Sequence, residues 1–174
     1  MPYALKLALV GLTGISAITD LYSRRIPNPV IVVGFIAGVA LNTWLGGWSG
    51  LLHSLSGFGL AILIYVPLFI LRAMGGGDVK LMAAAGAIVG PKDWFTLFIY
   101  ASLAGGAIAL GMLLARNALG AAFWKMMHIL KELAHFRAPY KSQPDLDISS
   151  AQALTMPHGV AIAIGAALLL LGQR

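Results

Sequence analysis

The sequence predicts an all-α, polytopic membrane protein, and three observations support this fold class. Hydrophobic residues make up 59% of the 174 residues, whereas charged residues make up only 10%. Soluble domains have roughly a quarter of their residues charged. A chain of this size with so few charges cannot cover a water-facing surface, and its apolar content excludes disorder. The third observation is a series of apolar segments long enough to cross a bilayer.

About six such segments follow one another, and they define a single membrane-embedded domain over residues 1–174. They are 3–19, 29–45, 51–71, 79–89, 94–115 and 155–171. Most reach the roughly 17–25 residues that a helix needs to cross hydrocarbon. Segment 79–89 is too short to span as a regular helix by itself. We expect it to extend through the preceding glycines or to cross where the protein is thin.

The first segment has one feature of an export signal, because Lys6 precedes an apolar run. Two features favour a retained helix instead. Arg24 and Arg25 follow the run, against the charge asymmetry of an export signal, and Asp20 occupies the place of a small-residue cleavage site. We therefore expect the first segment to remain in the mature protein.

The distribution of lysine and arginine predicts the orientation, because these residues are enriched in cytoplasmic loops. With the N-terminus outside, nine of the 12 fall on the inner side. These nine are Arg24, Arg25, Arg72, Lys80, Arg116, Lys125, Lys131, Arg137 and Lys141. The sequence thus predicts both termini outside (N-out, C-out). The net charge of +6 then reflects loops that face anionic lipid, and we expect no nucleic-acid partner.

The longest stretch between spans, 117–154, is predicted on the inner, cytoplasmic side. Its first half spaces apolar residues three and four apart, with polar residues around the rest of the circumference. The apolar set is Leu119, Phe123, Met126, Leu130 and Leu133. This pattern is typical of an amphipathic helix in the membrane interface, with a water-exposed extension of the fifth helix as the alternative. The prolines and polar residues of 138–150 predict a loop.

The composition also bears on metals and cofactors. Cysteine is absent, which excludes disulfides, thiolate metal sites and cysteine nucleophiles. The four histidines show no metal-binding spacing such as HExxH. We therefore expect no metal ion and no cofactor. Glycine pairs four residues apart are interpreted as helix contacts. These pairs are Gly34 and Gly38, Gly46 and Gly50, and Gly86 and Gly90.

Six carboxylate side chains are available for catalysis. Four of them are predicted in solvated regions, namely Asp93, Glu132, Asp145 and Asp147. Asp20 and Asp78 instead abut apolar spans, and the predicted topology places both at the inner membrane boundary. Carboxylates there are costly and indicate function. Taken singly, Asp20 could end the first helix, and Asp78 could be the N-cap of the fourth.

The sequences around the two aspartates carry a resemblance to a known family. Asp20 lies shortly before the tripeptide formed by Ile26, Pro27 and Asn28. A Gly-x-Gly-Asp-x-Lys pattern is formed by Gly75, Gly76, Gly77, Asp78 and Lys80. In these motifs the chain resembles the GxGD-type intramembrane aspartic peptidases, and specifically the prepilin peptidases. Residues 156–162 are similar to the segment that opens the family's last helix, although His158 departs from the usual aromatic residue.

The resemblance implies an aspartic endopeptidase of a bacterial or archaeal-type cytoplasmic membrane, with Asp20 and Asp78 as its catalytic pair at the cytoplasmic face. The implied substrates are prepilins and pilin-like membrane proteins, whose short basic leader precedes an apolar helix. Because the chain has no cysteine and little sequence before Asp20, it resembles the short, peptidase-only form of tight-adherence (Flp) type IV pilus systems. Cleavage without N-methylation follows from that resemblance. The oligomeric state stays open.

In such a pair, one carboxyl group acts as the base on a water molecule and the other as the acid. The helix ends favour Asp78 as the base, because it lies at the start of a span, and Asp20 as the acid. The glycines of 75–77 let a substrate backbone approach Asp78 closely.

Other residues of the motifs are predicted to support the pair. Pro27 and Asn28 are interpreted as the turn and cap that start the second helix. Lys80 lies about 200° from Asp78 around a helix, so we expect it to meet lipid phosphate or a substrate carboxylate instead. Arg72 is a second possible substrate contact. We interpret His158 as a structural residue.

Two other functions fit the same residues. One is a GxGD peptidase that acts on other membrane substrates, which the Ile-Pro-Asn tripeptide disfavours. The other is a non-catalytic secretion or pilus-assembly scaffold or a proton-coupled membrane subunit, in which the two aspartates form a proton site. Transporters of that kind often contain repeated halves, and the sequence shows no convincing internal repeat.

Overall fold

The structure, a computed structural model, describes residues 1–71, 74–134 and 157–173, and every element in these ranges is an α-helix. The helices are α1 (Tyr3–Ser23), α2 (Asn28–Ile70), α3 (Gly76–Ala115), α4 (Leu119–Ala134) and α5 (His158–Gly172). The predicted all-α class is thus confirmed for the described residues. Helices α1, α2 and α3 are long and apolar enough to cross a membrane, and α5 is a shorter apolar helix.

Helix α2 folds back on itself at Gly47, whose backbone lies at φ 58 and ψ −136. Asn42 and Ser54, on either side of this break, both donate hydrogen bonds to the carbonyl oxygen of Ala87, at 3.0 and 2.6 Å. In a continuous helix, twelve residues would separate two side chains by about 18 Å. The chain therefore reverses at Gly47, where glycine tolerates a positive φ that other residues rarely adopt.

Helix α3 folds back in the same way at Gly90, which has φ 77 and is followed by Pro91. The indole nitrogen of Trp94 donates to the carbonyl oxygen of Met82 at 3.0 Å, across the break. Helices α2 and α3 thus form four arms, 28–46, 48–70, 76–89 and 91–115. The arm 76–89 begins three residues before the predicted segment 79–89 and includes two of the preceding glycines.

The arm 76–89 forms the centre of the protein. From Leu81 to Gly90, every residue of α3 is buried. Glycines permit the close packing around it. A side chain on Gly38 would meet the backbone of Ala87 and Ile88, and one on Gly86 would meet the backbone of Gly57. The interpretation of these two glycines as helix contacts is confirmed, and the arm can be short because protein surrounds it.

The break at Gly90 frees carbonyl groups at the end of this buried arm, and polar side chains from α2 bind them. Asn42 donates to the carbonyl oxygens of Ala87 and Ile88, both at 3.0 Å. A ring nitrogen of His53 lies 3.3 Å from the carbonyl oxygen of Val89. The α2 hairpin therefore caps the central arm.

Replacing Asn42 with the isosteric leucine is expected to lower the free energy of unfolding by about 1–3 kcal/mol, because the Ile88 carbonyl loses its side-chain donor and the Ala87 carbonyl keeps only Ser54. Thermal unfolding in detergent measures this loss. Thr43→Val is the matched control, since the Thr43 hydroxyl bonds only the Val39 carbonyl of its own helix, at 2.7 Å. Equal melting midpoints for the two variants would contradict the capping role of Asn42.

Helix α4 lies within the stretch that was predicted to contain an amphipathic helix. It follows α3 after Asn117, which has a left-handed backbone with φ 51. Large apolar side chains on α4 are exposed, among them Phe123, Trp124 and Met126. Its location in the membrane interface stays a prediction, as do the number of membrane crossings and their orientation. The loop predicted over 138–150 lies outside the described residues.

Candidate active site

Asp20 lies in the last turn of α1, on the face of that helix that packs against the rest of the protein. This face repeats every three or four residues and includes Leu9, Leu12, Ser16 and Asp20. Asp20 is 8% exposed, and its Oδ2 accepts a hydrogen bond from the backbone N–H of Gly159 at 2.8 Å. Because α1 ends at Ser23, three residues after Asp20, Asp20 does not itself end the helix.

Gly159 is the second residue of α5, so its backbone N–H has no acceptor inside that helix. An added Cβ would lie 3.0 Å from the Cβ of Asp20 and 3.2 Å from the carbonyl oxygen of Ser16. Glycine therefore lets the start of α5 approach α1 closely enough to bond Asp20. The sequence pointed to this segment only by resemblance, and it gave no indication that Gly159 contacts Asp20.

Asp78 lies in the first turn of α3, three residues after the N-cap residue Gly75. The interpretation of Asp78 itself as the N-cap was wrong. Its carboxyl group lies back over the helix start, with Oδ2 3.2 Å from the position of a Cβ on Gly75. This is the position that the acidic residue of a capping box occupies.

The structure brings the two aspartates together. The carboxyl group of Asp78 lies close enough to Asp20 and His158 for their charges to interact. His158 is adjacent to Gly159, so the start of α5 contributes groups that face both aspartates. The earlier interpretation of His158 as a purely structural residue did not include this contact with Asp78.

The predicted roles of Asp78 as the base and Asp20 as the acid rested on the C-terminal end of α1 at Asp20, whereas the structure adds the N-terminal end of α5 there. Each carboxyl group lies at a helix start, Asp20 at that of α5 and Asp78 at that of α3. Because helix starts favour negative charge at both positions, the helix ends do not assign the acid and the base.

The other motif residues join the α1–α2 connection to the start of α3. A Cβ on Gly77 would lie 3.6 Å from the Cβ of Ile26. The amine of Lys80 donates to Oδ1 of Asn28 at 3.1 Å. The observed partner of Lys80 is thus Asn28, and its predicted contact with lipid phosphate or a substrate carboxylate stays a prediction. These two contacts hold the chain after Asp20 against the helix that carries Asp78.

The start of α2 differs from the prediction. Pro27 is the N-cap residue and makes no side-chain capping bond, and Asn28 is the first helical residue. The predicted capping role of Asn28 was therefore wrong, because its side chain bonds Lys80 instead. The glycines of 75–77 provide the N-cap and first two residues of α3. Arg72, predicted to contact substrate, lies outside the described residues.

Tyr65, which the sequence did not single out, lies beside Asp78. It is 4% exposed, and its hydroxyl is close enough to the Asp78 carboxyl for the two groups to interact. Its ring packs edge-on against Trp94 and Phe98, with ring centroids 6.0 and 5.9 Å away. A tyrosine in an apolar span has no sequence signature that distinguishes it from a core residue, so only the fold shows this contact.

A cavity of about 290 Å³, called the α3–α5 pocket below, opens next to these residues. It lies between the arm 91–115 of α3 and the first turns of α5. Its lining includes Tyr65, Met74, Ser102, Gly106, His158 and Ile162. In the part of the chain that the structure describes, no group of three or more His, Cys, Asp or Glu residues could hold a metal ion.

The fold and the site define a class of protein. It is a helical protein with three helices able to cross a membrane, and it holds two carboxyl groups together at one end of α1 and α3. Residues 7–110 match the model of the type IV leader peptidase family. This match covers more than half of the chain and includes both aspartates, so the chain belongs to the type IV leader peptidase family.

Two curated relatives are similar to this chain. A prepilin leader peptidase/N-methyltransferase of Bacillus subtilis (strain 168) is 31% identical over 118 residues, 63% of this chain and 47% of the relative. A preflagellin peptidase of Methanococcus voltae is 33% identical over 104 residues, 58% of this chain and 42% of the relative. The chain therefore spans less than half the length of both relatives. No solved structure matches it.

Proposed function

We propose that this chain is a prepilin peptidase that removes the short basic leader of pilin-like membrane proteins. The observation that carries the proposal is the electrostatic interaction of Asp78 with Asp20, two carboxyl groups that are distant in sequence but close enough in the fold for their charges to interact. Membership of a leader peptidase family and the names of the two relatives support it.

In the proposed mechanism, Asp20 and Asp78 share one proton. The ionised carboxyl group removes a proton from a water molecule, which attacks the scissile carbonyl carbon, and the protonated carboxyl group donates to the reacting peptide. The bond from Gly159 would orient Asp20, and the first turn of α3 would hold Asp78, before the substrate binds. This preorganisation matters because misplaced catalytic groups lose much of their effect.

The proposed substrates are Flp-type prepilins, and the proposed product is a mature pilin with a free, unmethylated amino terminus. The test is incubation of the purified full chain with a purified prepilin in detergent, followed by mass spectrometry of the new amino terminus. An intact prepilin would overturn the proposal. A methylated terminus, formed in the presence of a methyl donor, would overturn only the absence of N-methylation.

We further propose that residues 1–174 form one domain that crosses the cytoplasmic membrane six times, with both termini outside. The arms of α2 and α3 would each cross once, together with α1 and α5. The paired aspartates would then lie at the cytoplasmic face, since Asp20 ends the first crossing and Asp78 begins the fourth. The exposed apolar side chains of α4 would contact lipid at the same face.

This topology can be tested by labelling, because the natural chain has no cysteine. We expect a cysteine at Trp48 to react with an impermeant maleimide in intact cells, and one at Tyr22 to react only after the membrane is opened. Both positions suit the experiment, since Trp48 is 72% exposed and Tyr22 is 90% exposed. Labelling of Tyr22→Cys in intact cells would contradict the proposed orientation.

A further inference from the structure

The α3–α5 pocket shares two lining residues with the surroundings of the candidate catalytic pair. Tyr65 and His158 both line the pocket, and both interact with the Asp78 carboxyl group. Gly159, which follows His158, donates to Asp20. A group that entered the pocket would therefore contact Tyr65 and His158, which neighbour the two aspartates, and the proposed mechanism assigns no role to this space.

The chemistry of the lining restricts what the pocket can hold. Among the described residues that line it, none is a lysine, arginine, aspartate or glutamate. A basic leader would lose its hydration there without gaining an opposite charge, which is unfavourable. An apolar group would be buried against small and aliphatic residues such as Ala161 and Ile162. The lining thus suits the apolar part of a substrate.

The size of the pocket restricts the occupant further. Pockets for drug-sized molecules have volumes of about 300–1,000 Å³. At about 290 Å³, the α3–α5 pocket is at the lower end of this range. It can hold one large side chain but is too small for a whole helix. The occupant is therefore a single side chain of an extended peptide.

We propose that the α3–α5 pocket binds the first large apolar side chain that follows the scissile bond, and that it selects substrates by the size of that side chain. The inference rests on the proposed peptidase function. Tyr65 and His158 are the lining residues that interact with Asp78, so the substrate backbone would pass beside them from the carboxyl groups into the apolar lining.

Filling the pocket tests the proposal. Gly106 lines it, and an added Cβ there meets nothing within 4 Å, so Gly106→Leu takes up space without forcing the backbone to move. Two prepilin substrates, with leucine or alanine directly after the scissile bond, are compared by kcat/KM. We expect the wild-type protein to cleave the leucine substrate with the higher kcat/KM. The Gly106→Leu substitution should lower the ratio of kcat/KM for the leucine substrate to that for the alanine substrate about tenfold or more. Ser102→Leu, one turn earlier in the same lining, should act in the same direction.

The matched control is Gly111→Leu, on the same arm of α3. Gly111 also has nothing within 4 Å of an added Cβ, but it does not line the pocket. This variant should keep the wild-type ratio. An unchanged ratio in both pocket variants, or an equal loss for both substrates, would overturn the inference. Failure of the peptidase proposal is distinguishable, because wild type would then cleave neither substrate.

Discussion

Replacing Asp20 or Asp78 with asparagine is expected to lower the rate of prepilin cleavage by about 10³-fold, with each substitution sufficient alone. Asparagine nearly preserves the size of the side chain but can neither accept a proton as a base nor donate one as an acid. General acid and base groups each contribute about 10²–10⁴-fold. Because the two carboxyl groups act on one water molecule and one peptide bond, the double variant should be little slower than either single variant.

The measurement is the initial rate of cleavage of a purified prepilin in detergent. Asp93→Asn is the matched control, since Asp93 is also a carboxylate of α3 but accepts a hydrogen bond from Gln173, at 2.7 Å. It lines a different cavity with Met1, at the opposite end of α1 from Asp20. The control should cleave at the wild-type rate.

Cleavage at the wild-type rate by either aspartate variant would contradict the two-carboxyl mechanism. Activity in cells offers a second comparison with the rival function. If the chain were a scaffold, pilus assembly in cells would still require the protein. The purified wild-type chain, however, would not cleave a prepilin. A proton-coupled subunit would likewise show no cleavage. The purified assay therefore separates the peptidase from both alternatives.

The apolar segments could be located from the sequence because each is a run of suitable length between polar or glycine-rich residues. The reversals at Gly47 and Gly90 correspond to the boundaries that those runs predict. The capping of the buried arm 76–89 by Asn42, Ser54 and His53 could not be predicted from the sequence. These contacts depend on carbonyl groups that become available only when α3 breaks.

The two aspartates stood out because a carboxylate beside an apolar span is costly and therefore rare. Their partners did not stand out. Gly159 contacts Asp20 through its backbone N–H, which any residue other than proline possesses, and the two are 139 positions apart. Asn28 and Lys80 each have an ordinary local explanation, and only the fold shows that they bond each other. Long-range pairs of this kind have no local pattern.

The Gly159–Asp20 contact gives the second large expected effect. Replacing Gly159 with valine should lower kcat for prepilin cleavage by about 10²-fold, because small displacements of a catalytic group can cost that much. A Cβ at this position would lie 3.0 Å from the Cβ of Asp20 and 3.1 Å from its Oδ2, so the carboxyl group must move or α5 must retreat. Gly159→Ala should cause a smaller loss. KM should change less than kcat, since the added atoms contact Asp20 and Ser16, neither of which lines the α3–α5 pocket.

Gly172→Val provides the control in the same helix, because nothing lies within 4 Å of an added Cβ at Gly172. Thermal unfolding in detergent accompanies the kinetics, so that a loss of folded protein is not mistaken for a loss of catalysis. A Gly159→Val variant that unfolds at the wild-type temperature and keeps its kcat would show that the position of Asp20 does not depend on α5. A proportional fall in kcat from glycine to alanine to valine, at constant KM, would instead show that the first turn of α5 positions Asp20 for the reaction.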